Sequence, residues 1–227
     1  MTFLRTATAR VLDMAFPAMC PGCGREGAPI CDACLPGLDA RLDRAPGVPI
    51  GMPADIPAPL LQLEWCAPFT GVVRHALHAL KYKGERRLAG PLGGAVARRW
   101  ARAGAGGDLV VAVPVHANRA RVRGYDQAQL IAEVAAHALH LPTARILERH
   151  IETTAQFELD RRERATNVRH AFRLVGEARG RPAPVAGRWV VLVDDVLTTG
   201  ATLSACATVL MHGGALGVSA LTVARER

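Results

Sequence analysis

Aromatic side chains are scarce in this sequence of 227 residues, where Trp, Tyr and Phe together make up 4%. That scarcity weakens any base-stacking platform, for which only Trp65, Tyr82 and Tyr125 look usable. No stretch reaches the roughly 18 uninterrupted apolar residues of a spanning helix, because Arg, Lys, Asp or Glu breaks every run. No membrane insertion is therefore expected. A secretory signal core is also missing, since Asp13 and Pro17 interrupt the apolar stretch from Val11 to Met19, and a cytoplasmic location is predicted. Internal repeats and coiled-coil heptads are absent, and the histidines lie scattered without ligand spacing. What remains is half apolar and 21% charged, which excludes disorder and allows a sizeable core. The formal charge of +8 attracts anions, whether nucleic acid, anionic lipid or a small polyphosphate.

Four of the six cysteines form two Cys-x-x-Cys knuckles, Cys20-Pro-Gly-Cys23 and Cys31-Asp-Ala-Cys34. So short a segment cannot close a core of its own, and four thiolates on a tetrahedral Zn²⁺ would supply the folding energy. Gly22 and Gly24 let backbone amides approach the sulfurs. Disulfides are the rival reading, disfavoured without a secretion signal, and iron or a redox dithiol stays open beside them. Cys66 and Cys206 lie far from this cluster and read as small core residues.

Residues 2–16 read as a short amphipathic helix, and Pro and Gly crowd the stretch from Leu35 to Pro59, which forbids long helices there. Three units follow: 1–36 with the N-terminal helix and four-Cys zinc element, a Pro/Gly-rich linker over 37–60, and one domain over 61–227. Helices are predicted from Val72 to Tyr82, Leu88 to Ala103, Asp126 to Leu141 and Ala201 to His212. Apolar strands are predicted over 109–115, 189–193 and 216–223, with shorter ones near 144–147 and 171–175. Strands and helices alternating at this spacing predict an α/β fold, a parallel sheet flanked by helices.

The most informative stretch is Val190-Val-Leu-Val-Asp194-Asp195-Val-Leu-Thr198-Thr199-Gly200-Ala201-Thr202. A buried strand ends in two carboxylates, and a hydroxyl-rich turn then opens a helix whose first amides lack intrahelical partners. Such a turn, at the carboxyl end of a parallel strand, is a phosphate site. Two acids would repel bare phosphate, so the ligand should offer hydroxyls, or carry a divalent cation beside its phosphate. The plainer reading, a strand end followed by a Thr cap, needs only one of these residues. A Walker P-loop is excluded, since the Gly-Lys-Ser/Thr ending is missing.

At these residues the chain resembles the phosphoribosyl-pyrophosphate (PRPP) motif of type I phosphoribosyltransferases. More narrowly it resembles the ComF (ComFC-like) family, named for natural competence. The family's layout is matched by Cys20 to Cys34, Lys81-Tyr-Lys-Gly84, Arg123-Gly-Tyr-Asp126-Gln127, Arg164-Ala-Thr-Asn167-Val168 and Asp194 to Thr202. Asp126 departs from the family's usual Asn, either weakening anion binding or capping the helix that follows. The resemblance implies a type I phosphoribosyltransferase fold with a small N-terminal zinc-binding element. It also implies that Asp194 and Asp195 meet the ribose hydroxyls of PRPP, and that Thr198, Thr199, Gly200, Ala201 and Thr202 cradle its 5′-phosphate. The basic loop holding Arg119, Arg121, Arg123 and Gly124 follows a strand and suits the pyrophosphate, whose developing charge Mg²⁺ and Arg forks would take up. A merely solvated loop is the alternative. A second group, Arg161, Arg162 and Arg164 with Arg169 and Arg173, alternates with acids, and much of it reads as a helix face with internal ion pairs.

Two functions follow from the resemblance. One is PRPP (or a related sugar phosphate) binding by a phosphoribosyltransferase-like protein linked to DNA uptake, a transferase whose acceptor the sequence does not identify. The other is a non-enzymatic competence protein that keeps the sugar-phosphate site, with single-stranded DNA and competence-machinery proteins as partners.

Overall fold

Hydrophobic strands placed between helical segments can hide both faces only as a sheet covered on each side. The computed structural model, which describes residues 17–47, 56–103, 106–150, 171–175 and 184–226, shows that arrangement. Strands β1 (Leu63–Pro68), β2 (Leu109–Ala112), β5 (Trp189–Leu197) and β6 (Gly217–Arg225) form a four-stranded sheet in the order β1-β6-β5-β2. All three pairings are parallel. Helices α1 (Gly71–Tyr82), α2 (Ala89–Ala103), α3 (Ala117–Arg123), α4 (Gln127–Leu139) and α5 (Ala201–His212) complete the domain.

Side chains alternate across each strand, so every strand feeds two cores. On β5, Val191 and Val193 join Leu77 of α1, Leu92 of α2 and Ile131 of α4 on one face. Val190 and Leu192 join Leu203, Cys206 and Leu210 of α5 on the other. Cys66 and Cys206 are buried members of these cores, as their chemistry predicted.

Strand β1 has no counterpart among the predicted strands. Its sequence Leu63-Glu64-Trp65-Cys66-Ala67-Pro68 carries an acid that a buried strand cannot hold alone. Arg99 of α2 makes it tolerable, meeting Glu64 at 2.6 Å with both side chains sealed from solvent. The same guanidinium donates to the carbonyls of Arg41, Leu42, Arg44 and Ala45, lashing the Pro/Gly-rich stretch to the domain. Removing one member of so buried a pair costs about 3–5 kcal/mol, because the other is left charged and unmatched.

Two further expectations are corrected. The short strands β3 (Leu147–Arg149) and β4 (Phe172–Leu174) do not extend the parallel sheet; they pair with each other, antiparallel. Arg173 sits in the strand expected near 171–175 and meets Glu148 across the ribbon at 2.9 Å. Trp65 is no stacking platform, being buried between the guanidinium of Arg41 at 3.5 Å and that of Arg225 at 4.9 Å. The helix expected over 2–16 and the segment Arg161 to Arg169, with its Arg164 to Val168 motif, lie outside the described residues.

Candidate sugar-phosphate site and four-cysteine element

The acid pair lies within β5, which runs four residues farther than predicted, to Leu197, before the turn Thr198–Gly200 opens α5. Asp194 and Thr222 of β6 are register partners, so the pair stands on an inner strand. Gly200 turns the corner at φ 80°, a conformation that L side chains resist. A Cβ there would meet Pro57 at 2.7 Å, and Ser204 of α5 donates to the carbonyl of Ala58, so the segment around Pro57 rests on the turn. Thr198 and Thr199 are exposed, while Ala201 and Thr202 are half-buried in the first turn of α5. Gly200 caps that helix without a side-chain acceptor, and the early amides of the helix face outward with their partial positive charge.

Being neighbours on a strand, the two acids point to opposite faces of the sheet. Asp195 enters the face of α1 and α4, is 6% exposed, and receives Lys81 Nζ at 2.9 Å and Gln127 Nε2 at 2.9 Å on Oδ2. Asp194 lies on the α5 face, where its Oδ1 accepts the Asp195 amide at 2.7 Å. Burial, then the neighbouring charge of Asp195, push the Asp194 carboxyl well above the usual carboxylate range, and Lys81 only partly offsets this. On that same face Asp194 acts electrostatically on Arg149 and Cys206.

The basic stretch is a helix, not the loop expected from its charge. His116 accepts the Asn118 amide through Nδ1, Arg and Ala favour the helix, and Gly124 at φ 74° stops it. Asp126 then caps α4, accepting the amides of Gln129 at 3.1 Å and Val115 at 3.0 Å. Burial raises its pKa, while those backbone donors pull the other way. Between α3 and the end of α1 opens a groove of about 660 Å³ lined by Lys81, Tyr82, Gly84, Asn118, Arg119, Val122, Arg123 and Tyr125. Arg119 and Arg123 thus share one wall, whereas Arg121 is exposed and not part of that lining. Arg123 donates to Gln127 Oε1 at 2.6 Å and covers the Tyr82 ring at 5.3 Å. Lys81 links groove and acid pair, lining the one and contacting Asp195 in the other, and residue-by-residue reading missed it. Its signal was the Lys-Tyr-x-Gly motif, which marked a position without a role.

At the other end of α1 the four knuckle cysteines converge, with all sulfurs within 4.8 Å of one another. A tetrahedral ion with metal–sulfur bonds of about 2.3 Å needs sulfurs about 3.8 Å apart, so the set fits zinc with little movement. It is the one group of three or more metal-capable side chains found among the described residues. Burial works to raise the Cys20 thiol, but backbone hydrogen bonds at Cys31, Gly22 and Cys23, with Cys34 beside them, bring it down to about 6. Burial and hydrogen bonds with Cys20, Cys23 and Cys31 push Cys34 up to about 12. Such a set ionises one member at its neighbours' expense unless a cation balances all four. The element packs on α1: a Cβ at Gly22 would meet Cys34 Sγ at 2.8 Å and Val72 at 2.9 Å, and Leu38 belongs to the α1 core.

No protein-family model matches the chain. The DNA utilization protein YhgH of Salmonella typhimurium is 29% identical over 214 residues, covering 92% of this chain and 89% of that protein. Competence protein F of Haemophilus influenzae is 33% identical over 117 residues, 51% of this chain and 48% of that one. This chain is similar to both proteins, to YhgH over most of its length and to competence protein F over about half. Among solved structures, the B. subtilis glutamine PRPP amidotransferase complexed with ADP and GMP overlaps it at 24% identity and a TM-score of 0.41. That overlap covers 60% of this chain and 27% of the amidotransferase. No helix among the described residues is long and apolar enough to cross a membrane.

Proposed function

We propose that this ComF-like chain binds PRPP together with Mg²⁺ and serves DNA uptake as a phosphoribosyltransferase-like protein. One observation carries the reading: paired carboxylates on an inner parallel strand, followed at once by the Thr198–Gly200 turn and the N-terminus of α5. Asp194 and Asp195 are then the acids on the ribose side, and Thr198, Thr199, Gly200, Ala201 and Thr202 hold the 5′-phosphate. Arg119, Arg123 and Gly124 stand toward the pyrophosphate, with Arg121 at the periphery. Arg119 and Arg123 would take up charge on that leaving group, and a Mg²⁺ bound with the PRPP would supply further charge stabilisation there. Cys20, Cys23, Cys31 and Cys34 hold a structural Zn²⁺ whose four bonds leave no open position for chemistry.

Calorimetric titration with PRPP and Mg²⁺ tests the reading. Saturable binding to the unsubstituted chain, lost in Thr199→Val/Thr202→Val, is expected; no binding to the unsubstituted chain would overturn it. Pyrophosphate release on incubation with a panel of nucleobases then separates an enzyme from a binding module. A second reading, single-stranded DNA along the groove, is favoured by the exposure of Tyr82 (66%) and Val122 (89%) beside Lys81, Arg119 and Arg123.

A further inference from the structure

The two acids of the site differ in surroundings more than adjacency in sequence would lead one to expect. Asp195 is buried, and one of its oxygens is occupied twice over, by the ammonium of Lys81 and the amide of Gln127. A ligand hydroxyl reaching that oxygen would have to displace an ion pair whose Lys81 side chain is 20% exposed and whose Asp195 side chain is 8% exposed. Asp194 points to the opposite face, the one on which α5 packs. The turn Thr198–Gly200 feeds that same helix, so a sugar whose phosphate sits at the start of α5 meets Asp194 first.

The anchor of Asp195 is itself held firmly. Lys81 lies in the last turn of α1, and its neighbour Leu80 offers its carbonyl to the Tyr125 hydroxyl between α3 and α4. Arg86 lies over the Tyr125 ring at 4.5 Å and donates to the Gly124 carbonyl at 3.0 Å. Lys81 therefore reaches the acid from an element fixed against both neighbours rather than from a solvated surface.

We infer that Lys81 is a positioning residue: it holds Asp195 on the α1 face and leaves Asp194 as the acid that meets the sugar hydroxyls. This rests on the PRPP reading and divides between the two acids a role first assigned to both. The charged groups around the pair are Lys81 from α1, Asp126 at the start of α4, and Arg149 on the α5 face. Gln127 contributes only a neutral donor, and Cys206 is a buried thiol. Lys81 is the cation in contact with Asp195. Without it the charge of Asp195 acts on Asp194 with no cation to offset it, and Asp194 ionises only at higher pH.

The test is PRPP titration in Mg²⁺ buffer from about pH 5 to pH 9, on the unsubstituted chain, Lys81→Met, Lys81→Arg, Asp195→Asn and the Lys81→Met/Asp195→Asn double variant. Thermal melts are recorded for each. Lys81→Met is expected to weaken binding about tenfold, and the double variant to weaken it no further, because both changes cut one interaction. Lys81→Arg should recover most of the loss. The acidic limb of the affinity profile should also move up by about one pH unit in Lys81→Met, which a purely structural role would not produce. Equal affinity of Lys81→Met and the unsubstituted chain, or additive losses in the double variant, would overturn the role of Lys81 alone. Failure of the unsubstituted chain to bind PRPP overturns the functional reading, and this role with it. Should Lys81→Met not fold, Lys81→Gln, which keeps a donor for Asp195, is read in its place against the same outcomes.

Discussion

Asp194 carries a cost that the fold bears for the sake of the site. Its carboxyl is half-buried beside a second acid, and the loss of solvation and that neighbouring charge favour the protonated form on folding. With its folded pKa above the unfolded value, its contribution to stability is complete below the ordinary carboxylate range and is lost as pH rises through the raised value. Asp194→Asn removes that dependence. The variant is expected to melt no lower than the parent at pH 7 and to lose the decline in stability above the carboxylate range, while PRPP affinity falls; melting curves across pH read this. A large drop in melting temperature at pH 7 would contradict the assignment of burial and repulsion as the cause. At this scale the residue types were legible in the sequence, but their division of labour was not. Asp194 and Asp195 read as equivalent until Lys81, far away in the chain, was seen to contact only one of them.

Among the elements, those whose sequences settle their own geometry were readable in advance. Helix α5 begins after a glycine and ends before another, and its observed bounds, Ala201–His212, match the expectation from its pattern. Strand β1 was hidden because Glu64 belongs in it only with Arg99 beside it. The basic stretch looked like a loop because charge masks helix propensity, although His116 and Gly124 had marked both ends of α3. The four-cysteine element was recognisable from spacing alone, while its seat against α1 was not. Metal analysis is expected to find about one zinc per folded chain, and chelation should lower the melting temperature and loosen α1. Less than about one equivalent in folded protein would sink the zinc assignment.

Across the whole molecule, the charge of +8 acquires a location. Lys81, Arg119 and Arg123 line one groove with no acid among its lining residues, and Tyr82 and Val122 offer it exposed apolar surface. If single-stranded DNA runs there, affinity should fall steeply with salt, and Arg119→Ala/Arg123→Ala should flatten the slope by about two, one for each lost phosphate contact. A slope unchanged by those replacements would remove the groove from the DNA path, whereas Arg121→Ala serves as a control outside the lining. The sequence by itself determined the strand-and-helix alternation, the cysteine cluster and the acid pair with its hydroxyl-rich turn. Each depends on residues close together in the chain, whose spacing fixes local geometry. Only the tertiary structure decided that Glu64 is matched by Arg99, that β3 and β4 pair apart from the main sheet, and that Lys81 holds Asp195. These depend on charges and strands far apart in sequence, whose partners are selected by burial, where an unmatched charge or backbone group costs too much to leave alone.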